Sequence, residues 1–233
     1  GSLIATLTAR KGATIYYTLD GTAPTAKSLR YTQPITVQKS CKLRAIAVYP
    51  TFTSNENSED LLISKATMAG VKYNVEPDAK YPGLSPRELT NGLQGSVIFN
   101  SGRWVGYVGK DLDLTLDLGE VKPIRLISVR TLISAAQWIM PHRGLYVWVS
   151  TDGKNFEDIY DLPADPMPAN KPDYIDTENL LLPMPKEARY VRIKMLSEKS
   201  MPAWHPHTGK PGWLFVDEVT NRKTTLLHNQ LTN

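Results

Sequence analysis

Two polar segments in the second half of the chain carry the residues best suited to contact a small hydroxylated molecule. Six residues in AQWIMPHRG and PAWHPHTGKPGW make up this candidate set: Trp138, His142, Arg143, Trp204, His205 and His207. A flat indole face covers the apolar side of a sugar ring, while imidazole and guanidinium groups bond to its hydroxyls. The segments therefore predict a carbohydrate-binding site in loops between strands, and the alternative is that the tryptophans only pin these loops to the core.

Metal and thiol chemistry have weaker support in the sequence. His205 and His207 are two positions apart and would face the same side of an extended strand, but no third ligand is evident. Cys41 is the single cysteine, so an internal disulfide is excluded, and its alternating surroundings predict a small buried hydrophobe.

Paired carboxylates, which hydrolysis of glycosides requires, occur as two dipeptides. Asp217-Glu218 lies in an alternating run, where successive side chains of a strand face opposite ways. Glu59-Asp60 lies in a polar stretch and is predicted to be a solvated pair. The sequence therefore predicts no catalytic site in this chain.

The elements that must position these residues are predicted to be strands. Residues 14–19 and 35–48 alternate with a period of two, and LDLTLDLG, IRLISVRTL, LYVWVST, ARYVRIKML and LFVDEVTN follow later in the chain. Seventeen prolines and fifteen glycines divide the sequence into short segments, and no helix-length apolar period separates the strands. The pattern predicts an all-β protein built of antiparallel sandwiches.

Composition and charge narrow the possible partners. The 27 basic and 23 acidic residues are mixed along the chain without a basic stripe, so we expect no nucleic-acid partner. No run approaches the roughly 18 apolar residues of a membrane helix, and we expect no membrane insertion. Gly1-Ser2 is interpreted as a cloning remnant, and a targeting signal would then lie outside this chain.

The N-terminal third resembles a known module. IYYTLDGTAPTAKSLRYTQPITVQKSCKLRAIAV is similar to the small immunoglobulin-like β-sandwich that follows the catalytic barrel of chitobiases and β-N-acetylhexosaminidases. This resemblance covers about residues 3–63. We place the first domain at residues 1–66, and we interpret Asp20-Gly21 as a turn.

The remainder resembles the discoidin module, also called coagulation factor 5/8 type C, a galactose-binding-like jelly-roll β-sandwich. The similarity is carried in order by LTNG, GRWVGY, LDLGEVKPIRLISVR, VSTDGKNF, ARYVRIKM and WLFVDEV. We place this second domain at residues 67–233. Trp104 within GRWVGY is predicted to be structural.

AQWIMP and PAWHPHTGKPGWLFVDE resemble the version of this module at the C-terminal end of bacterial β-hexosaminidases of glycoside hydrolase family 20. The resemblance implies a non-catalytic, extracytoplasmic accessory region that braces the catalytic domain of its parent enzyme. It also implies binding of glycans that contain N-acetylhexosamine or galactose. A spacer without ligand and an adhesion module for proteins or cell surfaces remain the alternatives.

Discoidin-like modules often hold a structural calcium, and the resemblance places it here at Asn91 and Glu218. Asn91 stands where the pattern has an aspartate, so the site would lack one charged oxygen ligand. No cofactor is otherwise expected.

Overall fold

The computed structural model describes residues 1–222, and most of its regular structure is β-strand. Residues 1–66, called here the N-terminal module, contain six short strands. They are β1 (Leu3–Ala5), β2 (Thr14–Thr18), β3 (Leu29–Arg30), β4 (Ile35–Val37), β5 (Cys41–Val48) and β6 (Asn57–Leu61). The fold class predicted for this part, a small β-sandwich, is confirmed.

Two sheets form the N-terminal module. β1 pairs with β4, while β3, β2, β5 and β6 form a four-stranded antiparallel sheet. Alternate residues of these strands, including Leu3, Val37 and Leu43, are buried between the sheets. Asp20 forms a turn by accepting a hydrogen bond from the Thr22 backbone N–H at 3.0 Å, as the sequence predicts.

Residues 67–222, called here the C-terminal module, contain the longer strands, and the predicted second domain continues to residue 233, beyond the described residues. The strands are β7 (Gly70–Val75), β8 (Val105–Val108), β9 (Leu112–Ile133), β10 (Gly144–Ser150), β11 (Glu157–Pro163), β12 (Tyr174–Leu196) and β13 (Trp213–Arg222). Short 3-10 helices span Glu88–Thr90 and Ala135–Gln137.

β9 and β12 each contribute to two layers of the sandwich. The first half of β9 pairs with β7 and with the second half of β12, whereas its second half pairs with β13 and with the first half of β12. Gly119 and Pro123 lie at the bend in β9, and Pro183 and Pro185 lie at the bend in β12. The segments LDLTLDLG and IRLISVRTL, predicted as separate strands, are therefore one bent strand.

One hydrophobic core joins the two layers. Leu114 and Leu116 from the first half of β9 are buried in the same cluster as Val129 from the second half, Val147 from β10 and Ile193 from β12. Those on β9 and β12 alternate with polar residues, and Val147 alternates with Tyr146 and Trp148; both patterns place one face of the strand in the core. The predicted jelly-roll class is confirmed.

The two modules contact each other through backbone and side-chain bonds. The Leu62 N–H donates to the Gly92 carbonyl at 2.8 Å, and the Lys65 N–H donates to the Asn221 carbonyl at 2.8 Å. Arg103 pairs with Glu59 at 3.0 Å, so Glu59 is not simply solvated. The predicted boundary after residue 66 lies within the segment that links β6 to β7.

Within residues 1–222, no helix is both long and apolar enough to cross a membrane.

Candidate functional site

Three loops of the C-terminal module meet at one end of the sandwich, here called the loop end. They are residues 134–143, 164–173 and 197–212. Their flanking strands fix this arrangement, because Ile133 pairs with Tyr174 and Gly144 pairs with both Pro163 and Leu196. All six residues of the predicted sugar site lie on these loops, so the structure brings them to one end.

Trp138 has an unusual backbone conformation within the loop end. Its φ of 65° and ψ of 15° lie in the left-handed region, which costs a bulky residue about 1–2 kcal/mol. Two backbone bonds hold it there: its N–H donates to the Ala135 carbonyl, and its carbonyl accepts from the Trp213 N–H at 2.7 Å. The half-buried indole packs against a buried cluster that includes Met140. Its ring centroid lies 4.2 Å from that of the exposed His207 imidazole, with the two planes tilted by 40°.

Trp204 and His205 are more tightly bound into the protein. The Trp204 Nε1–H donates to the Met167 carbonyl at 2.7 Å, and its ring packs against a buried methionine-rich cluster. His205 is buried, with Nε2 at 2.9 Å from the Ala135 carbonyl and Nδ1 accepting from the His207 backbone N–H at 3.1 Å. Both His205 nitrogens are therefore occupied, which leaves none to join His207 in binding a metal.

His142 and Arg143 each face a carboxylate. His142 is buried with Nε2 at 3.1 Å from Glu178 Oε1, while its Nδ1 has no hydrogen-bond partner. Arg143 pairs with Glu198 at 2.9 Å and also donates to the Ala164 carbonyl. The Arg143 side chain is 30% exposed, with Nε and Nη1 both bonded.

A cleft of about 500 Å³ lies on the neighbouring surface and was not anticipated from the sequence. Tyr81, Phe99 and the exposed Leu84 supply apolar lining, and Lys80 and Asn100 supply polar groups. The Tyr81 ring meets the Trp213 ring edge to face at 5.1 Å, which connects this cleft to the loop end. Turn-rich sequence around Tyr81 and Phe99 gives no periodic signal that these two distant residues meet.

The carboxyl groups of Asp217 and Glu218 are both fully buried, and both accept a bond from the segment 92–95. This contradicts the prediction that they face opposite ways. A β-bulge is the reason: Val216 pairs with Thr131 and Val219 with Val129, so two residues of β13 oppose Arg130 alone. Asp217 accepts bonds from Arg130 at 2.6 Å and from the Gly95 N–H at 2.6 Å.

Burial changes the acidity of this pair. Desolvation raises the pKa of Asp217 to about 7, although Arg130 acts against this rise. Desolvation, followed by the nearby Asp217 charge, raises the pKa of Glu218 to about 9. We therefore expect Glu218 to hold its proton at neutral pH unless a cation binds beside it.

The surroundings of Glu218 correspond to the predicted calcium position. Its Oε2 accepts from the Gly92 N–H at 3.3 Å, and its Oε1 has no hydrogen-bond partner. Buried Glu88 lies near enough to raise the Glu218 pKa further, and it accepts from the Asn91 side-chain amide at 3.1 Å. Among residues 1–222, no three His, Cys, Asp or Glu side chains form a metal-binding group, so backbone or amide oxygens would have to complete such a site.

The fold and the residues of the loop end define a two-module β-sandwich protein whose polar and aromatic side chains gather at one end of a jelly roll. The model of the F5/8 type C domain family matches residues 78–213. This match spans more than half of the chain, and the chain belongs to that family. The model of the chitobiase/beta-hexosaminidase C-terminal domain matches residues 2–59.

Solved structures similar to this chain include parts of bacterial carbohydrate-active proteins. A Ruminococcus gnavus fucosidase is 14% identical, with a TM-score of 0.47, and the match covers 70% of this chain and 27% of that one. A Streptococcus pneumoniae fucose-binding module is 15% identical, with a TM-score of 0.46 and coverage of 70% and 96%. A chitosan-binding module from Paenibacillus sp. IK-5 is 10% identical, with a TM-score of 0.44 and coverage of 69% and 99%. No curated protein sequence matches the chain.

Proposed function

We propose that this chain is the non-catalytic accessory region of a bacterial, extracytoplasmic β-N-acetylhexosaminidase of glycoside hydrolase family 20. Its C-terminal module binds a glycan that contains N-acetylhexosamine or galactose. The family match of residues 2–59 to a chitobiase C-terminal domain supports the parent enzyme class. Hydrolysis is not assigned to the chain itself, since Asp217 and Glu218 are enclosed and no substrate can reach them.

The conformation of Trp138 carries the proposal of glycan binding. Strained backbone tends to concentrate at functional sites, where surrounding contacts hold a side chain ready for its ligand. The Trp138 indole is held this way beside His207, on a loop fixed to β13 by two backbone bonds. This aromatic surface suits one sugar ring, and Arg143, on the same loop, is the candidate to bond to its hydroxyls.

Replacement of Trp138 tests this site. We expect Trp138→Ala to weaken monosaccharide binding at least tenfold, which corresponds to about 1.4 kcal/mol, because the stacking surface is lost. Ligand-observed NMR with N-acetylglucosamine, N-acetylgalactosamine and galactose measures the affinity. Gln137→Ala, at the exposed neighbouring position, serves as the matched control and should bind the sugar with the affinity of the unsubstituted chain. If Trp138→Ala and the unsubstituted chain bind the monosaccharide with equal affinity, Trp138 is not part of the binding site.

The second part of the proposal is that both modules brace the catalytic domain. Backbone bonds at Leu62 and Lys65, with the Arg103–Glu59 pair, join the modules into one body that could support a neighbour. Removing residues 1–222 from the parent enzyme should lower its midpoint of thermal inactivation. An unchanged midpoint would leave ligand binding as the remaining role.

A second candidate function is adhesion, and a specific observation favours it. Leu84, Val97 and Ile98 are exposed on the two loops beside the Tyr81 cleft, with 70%, 46% and 59% of their surfaces accessible. Apolar residues grouped on loop tips suit contact with a membrane surface or a protein. If the module is an adhesion module, the unsubstituted chain should sediment with phosphatidylserine vesicles and the variant Leu84→Ser/Ile98→Ser should not. Absence of sedimentation for both would leave glycan binding as the function.

Calcium is proposed at the buried carboxylates near the seam between the modules. Glu218 and Glu88 offer the carboxylate oxygens that calcium prefers, and Glu218 Oε1 lacks any other partner. Asn91 Oδ1 accepts from the Leu93 N–H at 2.8 Å and would have to exchange that bond for the ion. The ion would neutralise like charges that burial otherwise disfavours. It would fix the Asn91-Gly92 loop against β13.

This proposal predicts a dependence of stability on pH that calcium removes. With EDTA, the free energy of unfolding should fall as pH rises from 5 towards 9, because the folded state retains a Glu218 proton that the unfolded state loses. One group accounts for at most about 1.4 kcal/mol per pH unit. Calcium should raise the melting temperature and flatten this dependence.

Glu218→Gln is the control for the calcium prediction, because its amide is uncharged at every pH. The variant should show a shallower pH dependence in EDTA and no response to calcium. If calcium stabilises the parent and Glu218→Gln equally, the ion binds elsewhere.

A further inference from the structure

The outer face of β10 carries two aromatic residues that no core requires. Tyr146 and Trp148 are half-buried on the solvent side of the strand, while Leu145, Val147 and Val149, which alternate with them, are buried. Among residues 1–222, neither ring belongs to a hydrophobic core cluster. We call these two side chains the aromatic strip.

The two rings of the aromatic strip are nearly parallel. Their planes differ by 14° and their centroids are 6.2 Å apart. The Tyr146 side chain extends along the strand over Gly144, where an added Cβ would lie only 2.9 Å from Tyr146 Cε2. Gly144 thus provides the space for the ring, and the spacing of the rings is comparable to one residue of an extended sugar chain.

Neighbouring strands hold the aromatic strip in place. Arg192, the cross-strand partner of Trp148, places its guanidinium 5.3 Å from the Trp148 ring centroid. Arg192 is itself fixed by two bonds to Asp113, of 3.0 and 2.7 Å, and Asn74 donates to the same carboxylate at 2.8 Å. A surface fixed before binding loses little side-chain entropy when a ligand arrives.

The charges on this face favour an uncharged ligand. Arg192 pairs with Asp113, and Arg189 beside Tyr190 pairs with Asp117 through two bonds. Each guanidinium is therefore matched by its own carboxylate, and Lys194 and Asp161 face each other across Tyr146 on the neighbouring strands while Asp158 pairs with Trp148. An anionic polymer would find no net positive charge here. Polar groups remain around the rings to bond with hydroxyls.

We infer that the aromatic strip on β10 is a second glycan-binding surface, which takes consecutive residues of an extended, neutral, β-linked pyranose chain. It lies on a sheet face, whereas Trp138 and His207 lie on loops. Equatorial β-linkages leave broad apolar faces on successive sugars, and the solvent-facing parts of the two rings offer apolar surface to them. The loop end and the strip would then hold two parts of a polymer, or two chains, and joint binding raises the overall affinity.

The ligand class of the aromatic strip rests on the proposed function. Binding of a sugar chain and of a single sugar by the same variants distinguishes failure of the strip from failure of the site at the loop end. Isothermal titration calorimetry with chitohexaose and with N-acetylglucosamine compares a chain with a single sugar. We expect chitohexaose to bind the parent at least tenfold more tightly. Trp148→Ala and Tyr146→Ala should each remove most of that gain and leave the affinity for N-acetylglucosamine unchanged.

Trp138→Ala provides the opposite comparison. If it removes binding of the single sugar while Trp148→Ala and Tyr146→Ala leave chitohexaose affinity intact, the strip is overturned and the proposed site at the loop end stands. If chitohexaose binding depends on Trp148 but no single sugar binds, the strip stands and the loop-end proposal fails. Trp148→Phe, which keeps a ring, should retain part of the gain and checks for a folding defect.

Discussion

Arg130→Met is expected to lower the free energy of unfolding by about 3–5 kcal/mol, because it removes one partner of a buried ion pair. Asp217 has no exposed side-chain surface, and Arg130 is its cationic partner at 2.6 Å. The loss should be smaller at pH 5 than at pH 8, since the raised pKa of Asp217 lets the orphaned carboxyl take up a proton. Urea unfolding at the two pH values measures both effects.

Asp217→Asn supplies the control for Arg130. The double variant Arg130→Met/Asp217→Asn contains no unpaired charge, so it should be more stable at pH 8 than Arg130→Met alone. If Arg130→Met costs less than 1 kcal/mol at both pH values, the pair does not compensate Asp217, and the bulge in β13 must be stabilised in another way.

Trp104→Ala should cost about 3–5 kcal/mol, the range found when a large aromatic side chain is removed from a core. Trp104 is 1% exposed, and its Nε1–H donates to the Ser96 carbonyl at 3.1 Å. Its indole packs so closely on Gly95 that an added Cβ would lie 2.6 Å from the ring. Thermal unfolding followed by circular dichroism measures the loss.

Two companion variants test whether packing is the cause. Trp104→Phe keeps most of the ring and should lose less than Trp104→Ala, and Gly95→Ala should destabilise by crowding the indole. A stable Trp104→Ala that instead fails to bind sugar would make Trp104 a ligand contact in the Tyr81 cleft.

The sequence predicted the layers of the fold well, because the inward residues of most strands alternate without interruption. Leu112, Leu114 and Leu116 show this directly, and all three are buried. The same rule failed at Asp217-Glu218, since a bulge adds one residue and shifts the register. A bulge depends on the partner strand, here on Arg130, and a local pattern does not contain that information.

The candidate site was predictable in its location and less so in its chemistry. Turn residues and aromatics placed Trp138 and His207 on loops, and the structure brings these two side chains into contact. The bonds of His205 to Ala135 and of Trp204 to Met167 join residues far apart in the chain, and no spacing rule reports them. The Tyr146 and Trp148 face was missed because alternation identified the strand and said nothing about the function of its outer side.

The start of β7 and the end of β13 lie at the pole of the C-terminal module that is opposite the loop end. Gly70, where β7 begins, pairs with Asp117, and Arg222, where β13 ends, pairs with Leu126. Both positions lie beside the bend in β9, whereas Ile133 and the loops lie at the opposite pole. The first and last described strands of this module therefore begin and end at the same pole of the sandwich. The N-terminal module is therefore attached at this pole, and the loop that carries Trp138 lies at the opposite one.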